Sequence, residues 1–338
     1  MSIRDLRKGY DANFLGEGPS LPMPEVGLEH YHDVVTGDEL RDEYIVDYIH
    51  YSVVMSRSNR QAFFSAANLD QDAYRKVKGR RWFIDERIGS AAQIGPAAYA
   101  SNPWDRGHLT RRTAVTWGTY YEAKAASNDS CSYANASLQH ANFNQDEWRV
   151  PEEIVRKFDR DKNDRISVFT GPLFTDYDRW YSRPGMHENA RIPSAFWKVI
   201  AYIGKASGEL ESQAYLMYQD ALFIADKRGA RNIVPENYQV TITEIERLTG
   251  LHFPEPLYDS NPLLFFTDEE AGDGRTNIGP EGFAAPPDMK DPTAADGVVF
   301  ERANLTDKPG LEKRRRKLEA PIFDEIVLNG GVFVGLDR

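Results

Sequence analysis

Asp105-Arg106-Gly107-His108 is the stretch from which the predicted fold and site are built. Two asparagines and a glutamate, Asn135, Asn144 and Glu152, follow it along the chain. A neutral imidazole can activate water near neutral pH, and arginine together with a metal ion can stabilise charge that develops at phosphorus. These residue types therefore indicate cleavage of a phosphodiester bond with the help of one hard metal ion.

The spacing within the stretch suggests a strand that presents two functional groups. Arg106 and His108 are two residues apart, so their side chains would point to the same face of a strand. Gly107 between them would leave room for the substrate backbone to approach. The alternative is a core histidine beside a surface arginine, with no catalytic part for either.

Asn144 and Glu152 are eight residues apart, so on an unbroken helix both side chains project to one side. The amide oxygen of Asn144 could bind Mg²⁺ directly, since this ion prefers oxygen ligands and keeps several waters. The Glu152 carboxylate could hold water in the outer shell of the ion. Pro151 weakens the helical argument, and Glu153 is the alternative to Glu152. Helix capping and solvation are the alternatives for these polar groups.

The composition limits the class of protein. The 338 residues are 41% hydrophobic, 28% charged and 12% aromatic, which is typical of a globular protein with a sizeable core. The formal net charge of −11 argues against a generally basic nucleic-acid binder. With Cys131 as its only cysteine, the chain has no intramolecular disulfide and no cysteine-based zinc site.

The hydropathy pattern predicts no membrane partner. The first 16 residues lack a continuous apolar core, and no apolar run approaches the roughly 18 residues of a membrane span. We therefore expect a cytoplasmic protein, with export by a route that needs no cleaved signal left open.

Positive charge is concentrated around the candidate site. The window from Arg75 to Arg112 contains nine basic and three acidic residues. Because these basic residues lie on both sides of His108, we expect a groove that binds anions, although a solvated face is the alternative. The candidate phosphate-binding residues are Arg80, Arg106, Arg111 and Arg112.

Composition shifts divide the chain into three parts. Residues 1–45 are predicted to form an extended arm that wraps rather than packs, residues 46–260 the catalytic domain, and residues 261–338 a partly linker-like extension. The predicted strands are Tyr44–Met55, Gln61–Asn68, Ile166–Phe174, 195–203 and Gln213–Ala225, and the predicted helices are Thr113–Ala126, Asn144–Lys157 and one that ends at Gly250.

The order of these residues resembles a known family. Asn135, Gln139, Asn144, Trp148 and Glu152 follow the Asp-Arg-Gly-His block with the family's spacing. Residues 9–16, 167–174, 192–198 and 239–250 look like its other motifs. The chain thereby resembles the DNA/RNA non-specific endonucleases of the ββα-metal (His-Me finger) superfamily, the group of the Serratia secreted nuclease and mitochondrial endonuclease G.

The resemblance implies an α+β fold, in which a central antiparallel sheet has flanking helices and an embedded ββα-metal finger. His108 would be the general base, and Asn144 would be the direct ligand of Mg²⁺, for which Mn²⁺ or another divalent cation could substitute. Glu152 would hold water around the ion, Arg106 and Arg80 would contact phosphates, and Asn135 would position the histidine or the scissile group. The products of DNA and RNA cleavage would carry 5′-phosphate ends, with little base specificity.

Two other hypotheses stay open at this point. The chain could be a non-catalytic nucleic-acid binder on the same fold. It could also be a nuclease effector controlled by a regulatory or inhibitor partner through residues 261–338. A homodimer is a candidate assembly by analogy alone.

Overall fold

The computed structural model describes residues 2–261 except 17, 71, 142, 145–164, 187, 206 and 220–238. Its helices are α1 (Ile3–Leu6), α2 (Tyr120–Asp129), α3 (Ile242–Thr249) and α4 (Pro256–Asp259). Its strands are β1 (Glu25–Val26), β2 (Ile45–Asp47), β3 (Tyr51–Met55), β4 (Ala62–Asp70), β5 (Trp104–His108), β6 (Ala136–His140), β7 (Arg165–Leu173), β8 (Trp180–Tyr181), β9 (Ala190–Arg191), β10 (Ala195–Ile203), β11 (Leu210–Tyr218), β12 (Gln239–Val240) and β13 (Leu251–His252).

A seven-stranded sheet forms the centre of the fold. Its strand order is β12-β11-β10-β7-β4-β3-β2, and every neighbouring pair is antiparallel. Successive side chains of a strand point to opposite faces, so Phe196 and Ile200 enter one core while Trp197 and Val199 enter the other. The α+β fold with a central antiparallel sheet is therefore confirmed.

Both faces of the sheet are covered, which explains its apolar strands. Ala125 and Ala126 of α2, with Leu109 after β5, pack on the first face. Ile242 and Ile245 of α3 pack on the second. The first face therefore carries the β5–β6 pair and α2, and this is the side on which the candidate site lies.

The prediction that the N-terminal arm wraps without packing is wrong. Leu6 lies in the core on the first face, while Tyr10 and Leu21 lie in the core on the second. The buried Tyr10 hydroxyl donates a hydrogen bond to the Leu21 carbonyl at 2.9 Å. Glycine and proline frequency indicates irregular backbone, but it does not report where the few apolar side chains between them go.

Two predicted elements begin or break at other places. Residues 44–55 form β2 and β3 with a reversal between them, at which His50 adopts a left-handed backbone with φ of 69°. A turn without glycine or proline gives little sequence signal. The helix predicted from Thr113 begins only at Tyr120, because Thr119 and Glu122 form a reciprocal capping box at its start.

The other strands and the helix that ends at Gly250 are confirmed within the described residues. Gly250 has a φ of 66°, the left-handed conformation with which glycine commonly ends a helix. Residues 145–157 of the predicted second helix, 220–225 and 262–338 lie outside the described residues. The three domain boundaries stay a prediction. No helix within the described ranges combines the length and apolar character that crossing a membrane requires.

A buried network of charges joins the arm, the sheet and the segment before β5. The carboxylate of Asp85 accepts hydrogen bonds from the Arg87 guanidinium at 2.6 Å and from the Tyr48 hydroxyl at 2.7 Å. Arg7 donates to the buried Asp129 carboxylate at 2.8 Å. Burial alone raises the pKa of Asp85, but the hydrogen bonds and charge of Arg87 outweigh it and hold that pKa below its usual value.

We expect Asp85→Asn to lower the free energy of unfolding by about 3 kcal/mol, because it leaves the largely buried Arg87 cation without its partner. Urea denaturation monitored by circular dichroism measures this change. The matched control is Glu188→Gln, at a carboxylate that is 72% exposed and 3.7 Å from Arg60. Its effect should stay below about 0.5 kcal/mol.

The same network predicts how stability depends on pH. Because the folded pKa of Asp85 is depressed, its contribution is present above the unfolded pKa of about 3.9 and is lost as the pH falls through the folded value. The difference in unfolding free energy between wild type and Asp85→Asn should therefore shrink below about pH 4. A difference that is the same at pH 3 and pH 7 would contradict this account.

Candidate active site

The antiparallel pair β5–β6 carries the centre of the site. Its register places Arg106 opposite Leu138, Gly107 opposite Ser137 and His108 opposite Ala136. The strand predicted for residues 105–108 is thus present, and Arg106 and His108 project from the same side of it.

Gly107 is required for a different reason from the one that the sequence suggested. A Cβ atom at this position would lie 2.2 Å from Oε1 and 2.4 Å from Cγ of Gln139. The fully buried Gln139 side chain therefore fills the space above the glycine. The expectation that this space admits the substrate backbone is wrong, since a side chain of the neighbouring strand occupies it.

The His108 imidazole is in the state that a general base needs. Burial is the main cause that lowers its pKa to about 3, and the positive charges of Arg80, Arg112 and Arg111 add to it. Its Nε2 atom has no hydrogen-bond partner among the described residues, and its ring packs 4.8 Å from that of Trp82. At neutral pH the ring is therefore uncharged and able to accept a proton.

Aromatic rings hold the Arg106 guanidinium. Its central carbon lies 5.5 Å from the ring centre of Trp82, 5.6 Å from that of Tyr99 and 5.8 Å from that of Tyr133. Such contacts attract a cation through the face of the ring. In the described part of the chain, Arg106 forms no salt bridge and its buried Nε has no hydrogen-bond partner. The group thus keeps its charge and donors for an anion.

Asn144 is tied to the same strand by its amide nitrogen. Nδ2 of Asn144 donates to Oδ2 of Asp105 at 2.9 Å. A carboxylate accepts only from the NH₂ end of the amide, so this bond leaves Oδ1 as the end that can meet a cation. A hard divalent cation suits that oxygen. Within the described ranges no group of three or more His, Cys, Asp or Glu side chains forms a metal site.

Asn135 acts on the backbone that follows the histidine. Its fully buried side chain donates to the carbonyls of Thr110 at 2.8 Å and Ser130 at 2.9 Å, and its Oδ1 accepts from the Thr110 amide at 2.8 Å. These bonds join the segment after β5 to the end of α2. Asn135 is therefore placed to position the stretch that carries His108.

The predicted arginines lie around this centre. Arg80 is exposed, whereas Arg111 and Arg112 are half-buried. Arg112 donates to the Val77 carbonyl at 3.4 Å and to the Ser127 hydroxyl at 3.2 Å. All three are close enough to depress the pKa of His108. Glu152 and its alternative Glu153 lie outside the described residues, so their placement stays a prediction.

Sequence reasoning missed three residues of this arrangement. Asp105 opens the motif, but nothing in the sequence indicates that its carboxylate accepts a hydrogen bond from the Asn144 amide. Tyr99 is the last residue of the short 3-10 turn Pro96–Tyr99. Tyr133 is the first residue of another, Tyr133–Asn135. Neither tyrosine belongs to a periodic pattern, so no local signal assigned them to the site.

Compared with known families, residues 35–260 match the one described as DNA/RNA non-specific endonuclease. An uncharacterized protein of Sinorhizobium fredii, y4fB, is 33% identical in an alignment 279 residues long, and the match covers 76% of this chain and 40% of that protein. Nuclease 1, mitochondrial, of Schizosaccharomyces pombe is 26% identical over 60% of this chain and 63% of its own length. The nuclease of Serratia marcescens is 29% identical over 60% of this chain and 71% of its own.

Among solved structures, the chain is similar to one from the crystal structure of the EndoG/EndoGI complex, which concerns the mechanism of EndoG inhibition. The TM-score is 0.50 with 20% identity, over 62% of this chain and 84% of that one. This likeness concerns the fold. The chain spans 40% and 63% of the lengths of the first two relatives. The family resemblance predicted from the sequence is confirmed by the match over residues 35–260.

We expect Gly107→Ala to destabilise the β5–β6 pair, because the new methyl group would overlap the Gln139 side chain. Overpacking of this kind costs about 1–3 kcal/mol, which a urea unfolding curve measures. Adding Gln139→Ala to Gly107→Ala removes the atoms that clash and should restore part of the lost stability, a double-mutant cycle with Gln139→Ala as its control. Additive losses would contradict the packing explanation.

We also expect the His108 ring to stay neutral in metal-free protein down to about pH 4, since burial and three arginines oppose its protonation. NMR titration of a ¹³C-labelled imidazole measures this pKa. Arg80→Gln should raise it, whereas Arg165→Gln, at an arginine that neighbours Asp70, should not. A titration near 6.5 in the wild type would show that the ring is solvated and that the account of its environment is wrong.

Proposed function

We propose, given that this chain belongs to the family of DNA/RNA non-specific endonucleases, that it is a metal-dependent endonuclease. It hydrolyses phosphodiester bonds of DNA and RNA with little sequence specificity. Its substrate is held mainly through backbone phosphates, which carry no direct sequence information.

One arrangement carries the proposal. A neutral His108 ring and the Arg106 guanidinium project from one strand, and the Asn144 amide is oriented through Asp105 of that same strand. Asp105 and His108 are three residues apart, which is about 10 Å of extended strand. Asn144 is therefore held next to the strand that carries His108. A non-catalytic binder would have no need of an uncharged imidazole beside arginines.

The chain's own residues supply most of the steps. His108 accepts a proton from the attacking water as that oxygen forms a bond to phosphorus. Arg106 and the exposed Arg80 donate to phosphate oxygens and offset the negative charge that develops on them. The bond from phosphorus to the 3′ oxygen then breaks, and that oxygen takes a proton from water, which leaves a 5′-phosphate and a 3′-hydroxyl.

Asn144 would hold the cation through Oδ1, with water as the other ligands. When bound, Mg²⁺ or a substitute such as Mn²⁺ supplies positive charge that stabilises the transition state and the leaving oxygen. Glu152 would order the water around the ion, and Asn135 would keep the backbone after His108 in place. Arg111 and Arg112 would extend the positive surface toward neighbouring phosphates.

Three further proposals come from the sequence alone. They are residence in the cytoplasm, a homodimer, and a regulatory or inhibitor partner that acts through residues 261–338. The motive for the last is that a nuclease among the cell's own nucleic acids needs control.

We expect His108→Ala to lower the rate of plasmid and RNA digestion in Mg²⁺ by about 10²–10⁴-fold, because no group then takes the proton from water. The matched control is His32→Ala, at an exposed histidine of a 3-10 turn, which should cleave as the wild type does. Digestion is followed on gels, with circular dichroism to show that both variants are folded. If wild type and His108→Ala leave both substrates equally intact, the chain is not this kind of enzyme.

A further inference from the structure

A segment of concentrated positive charge lies on the surface beside α2. Between Ala73 and Ile84 the chain has no acidic residue. Its five basic residues are all exposed, and we call them the basic strip: Arg75, Lys76, Lys78, Arg80 and Arg81.

The strip starts next to the beginning of α2. The Arg75 amide donates to the Thr116 carbonyl at 2.8 Å, and the Gly118 amide donates to the Ala73 carbonyl at 3.0 Å. Farther along, the Lys124 ammonium donates to the Lys78 carbonyl. These bonds fix the segment alongside the helix instead of leaving it as a loose loop.

The strip ends at the candidate active site. The Phe83 amide donates to the Cys131 carbonyl at 3.1 Å, just beyond the end of α2. The ring of Trp82 packs 4.8 Å from that of His108. The strip therefore follows the whole helix, whose ten residues span about 15 Å, and arrives at the catalytic histidine.

Exposed tyrosines stand at the far end of the strip. Tyr120 and Tyr121, the first two residues of α2, are 66% and 60% exposed, and Tyr74 is 38% exposed. Tyr74 pairs through its backbone with Trp117, which brings it close to the start of the helix. Large exposed aromatic side chains next to a row of cations are the combination that binds single-stranded nucleic acid.

We propose that Tyr74, Tyr120 and Tyr121 form a platform on which bases of a single strand stack, while the basic strip guides its phosphates to His108. This inference rests on the proposed nuclease function and adds a preference for single-stranded segments of the substrate. A duplex cannot use the platform, since its base faces are already stacked within the helix. Along the chain, Asp72 precedes the strip, and Asp85 and Glu86 follow it. Glu122 lies on α2, where its carboxylate accepts the Thr119 amide of the helix cap at 3.4 Å.

The test measures binding in a chelator, so that it does not depend on cleavage. Fluorescence anisotropy gives the affinity of the full chain for labelled dT20, rU20 and a 20-base-pair duplex. Tyr120→Leu/Tyr121→Leu should weaken binding of both single strands by about tenfold or more, because the bases can no longer stack on these aromatic rings. The same variant should change duplex binding by less than about twofold. Tyr120→Phe/Tyr121→Phe keeps the rings and should bind as the wild type does.

Two controls separate stacking from charge. Tyr31→Leu changes a tyrosine that is 51% exposed and packs on Tyr44, away from the strip, and should have no effect. Lys76→Gln/Lys78→Gln should reduce the slope of log affinity against log salt by about 1.4 on single strands, whereas the tyrosine variants should leave that slope unchanged.

The inference would be overturned if Tyr120→Leu/Tyr121→Leu bound dT20 and rU20 as tightly as the wild type does. It would also be overturned if Tyr31→Leu weakened single-strand binding as much as the leucine pair does, or if the leucine pair weakened duplex binding as much as single-strand binding. These outcomes are distinct from failure of the proposed function. A wild type that cleaves while the leucine pair binds normally would refute only the platform. A wild type that binds through these tyrosines but never cleaves would refute only the nuclease.

Discussion

The antiparallel pairing of β5 with β6 is the constraint on which the site depends. It fixes Arg106 and His108 on one side of a strand and places Asp105 where it orients the Asn144 amide. The register is secured by the Gln139 side chain lying over Gly107, which a residue with a Cβ would displace. A shift of one residue would send every side chain of the pair to the opposite face.

Burial and local charge then set the chemistry of these groups. The protein is acidic overall, with a net charge of −11, yet burial keeps His108 uncharged and the positive charges of three nearby arginines add to that effect. Aromatic rings take the place that a carboxylate often has beside an arginine, so that Arg106 is held without being neutralised. Positive charge is thereby available where a phosphate would sit.

Much of the fold could be predicted from the sequence, because the long strands are apolar and their motifs have a recognisable order. The end of the helix at Gly250 could also be predicted, because a glycine commonly ends a helix. The reversal before β3 could not be predicted, since His50 gives no turn signal. The requirement for glycine at position 107 depends on Gln139, which is 32 residues away along the chain. Tyr99 and Tyr133 join the site through tertiary packing that no local pattern reports.

The central claim is that one cation bound to the Asn144 amide faces the His108 ring across a phosphate. The most direct measurement is a crystal structure of His108→Ala with a bound oligonucleotide and Mn²⁺, in which anomalous scattering locates the ion. The account predicts one peak about 2.1–2.2 Å from Oδ1 of Asn144, with a phosphate between the ion and position 108. An ion bound elsewhere, or a phosphate that lies away from position 108, would contradict it.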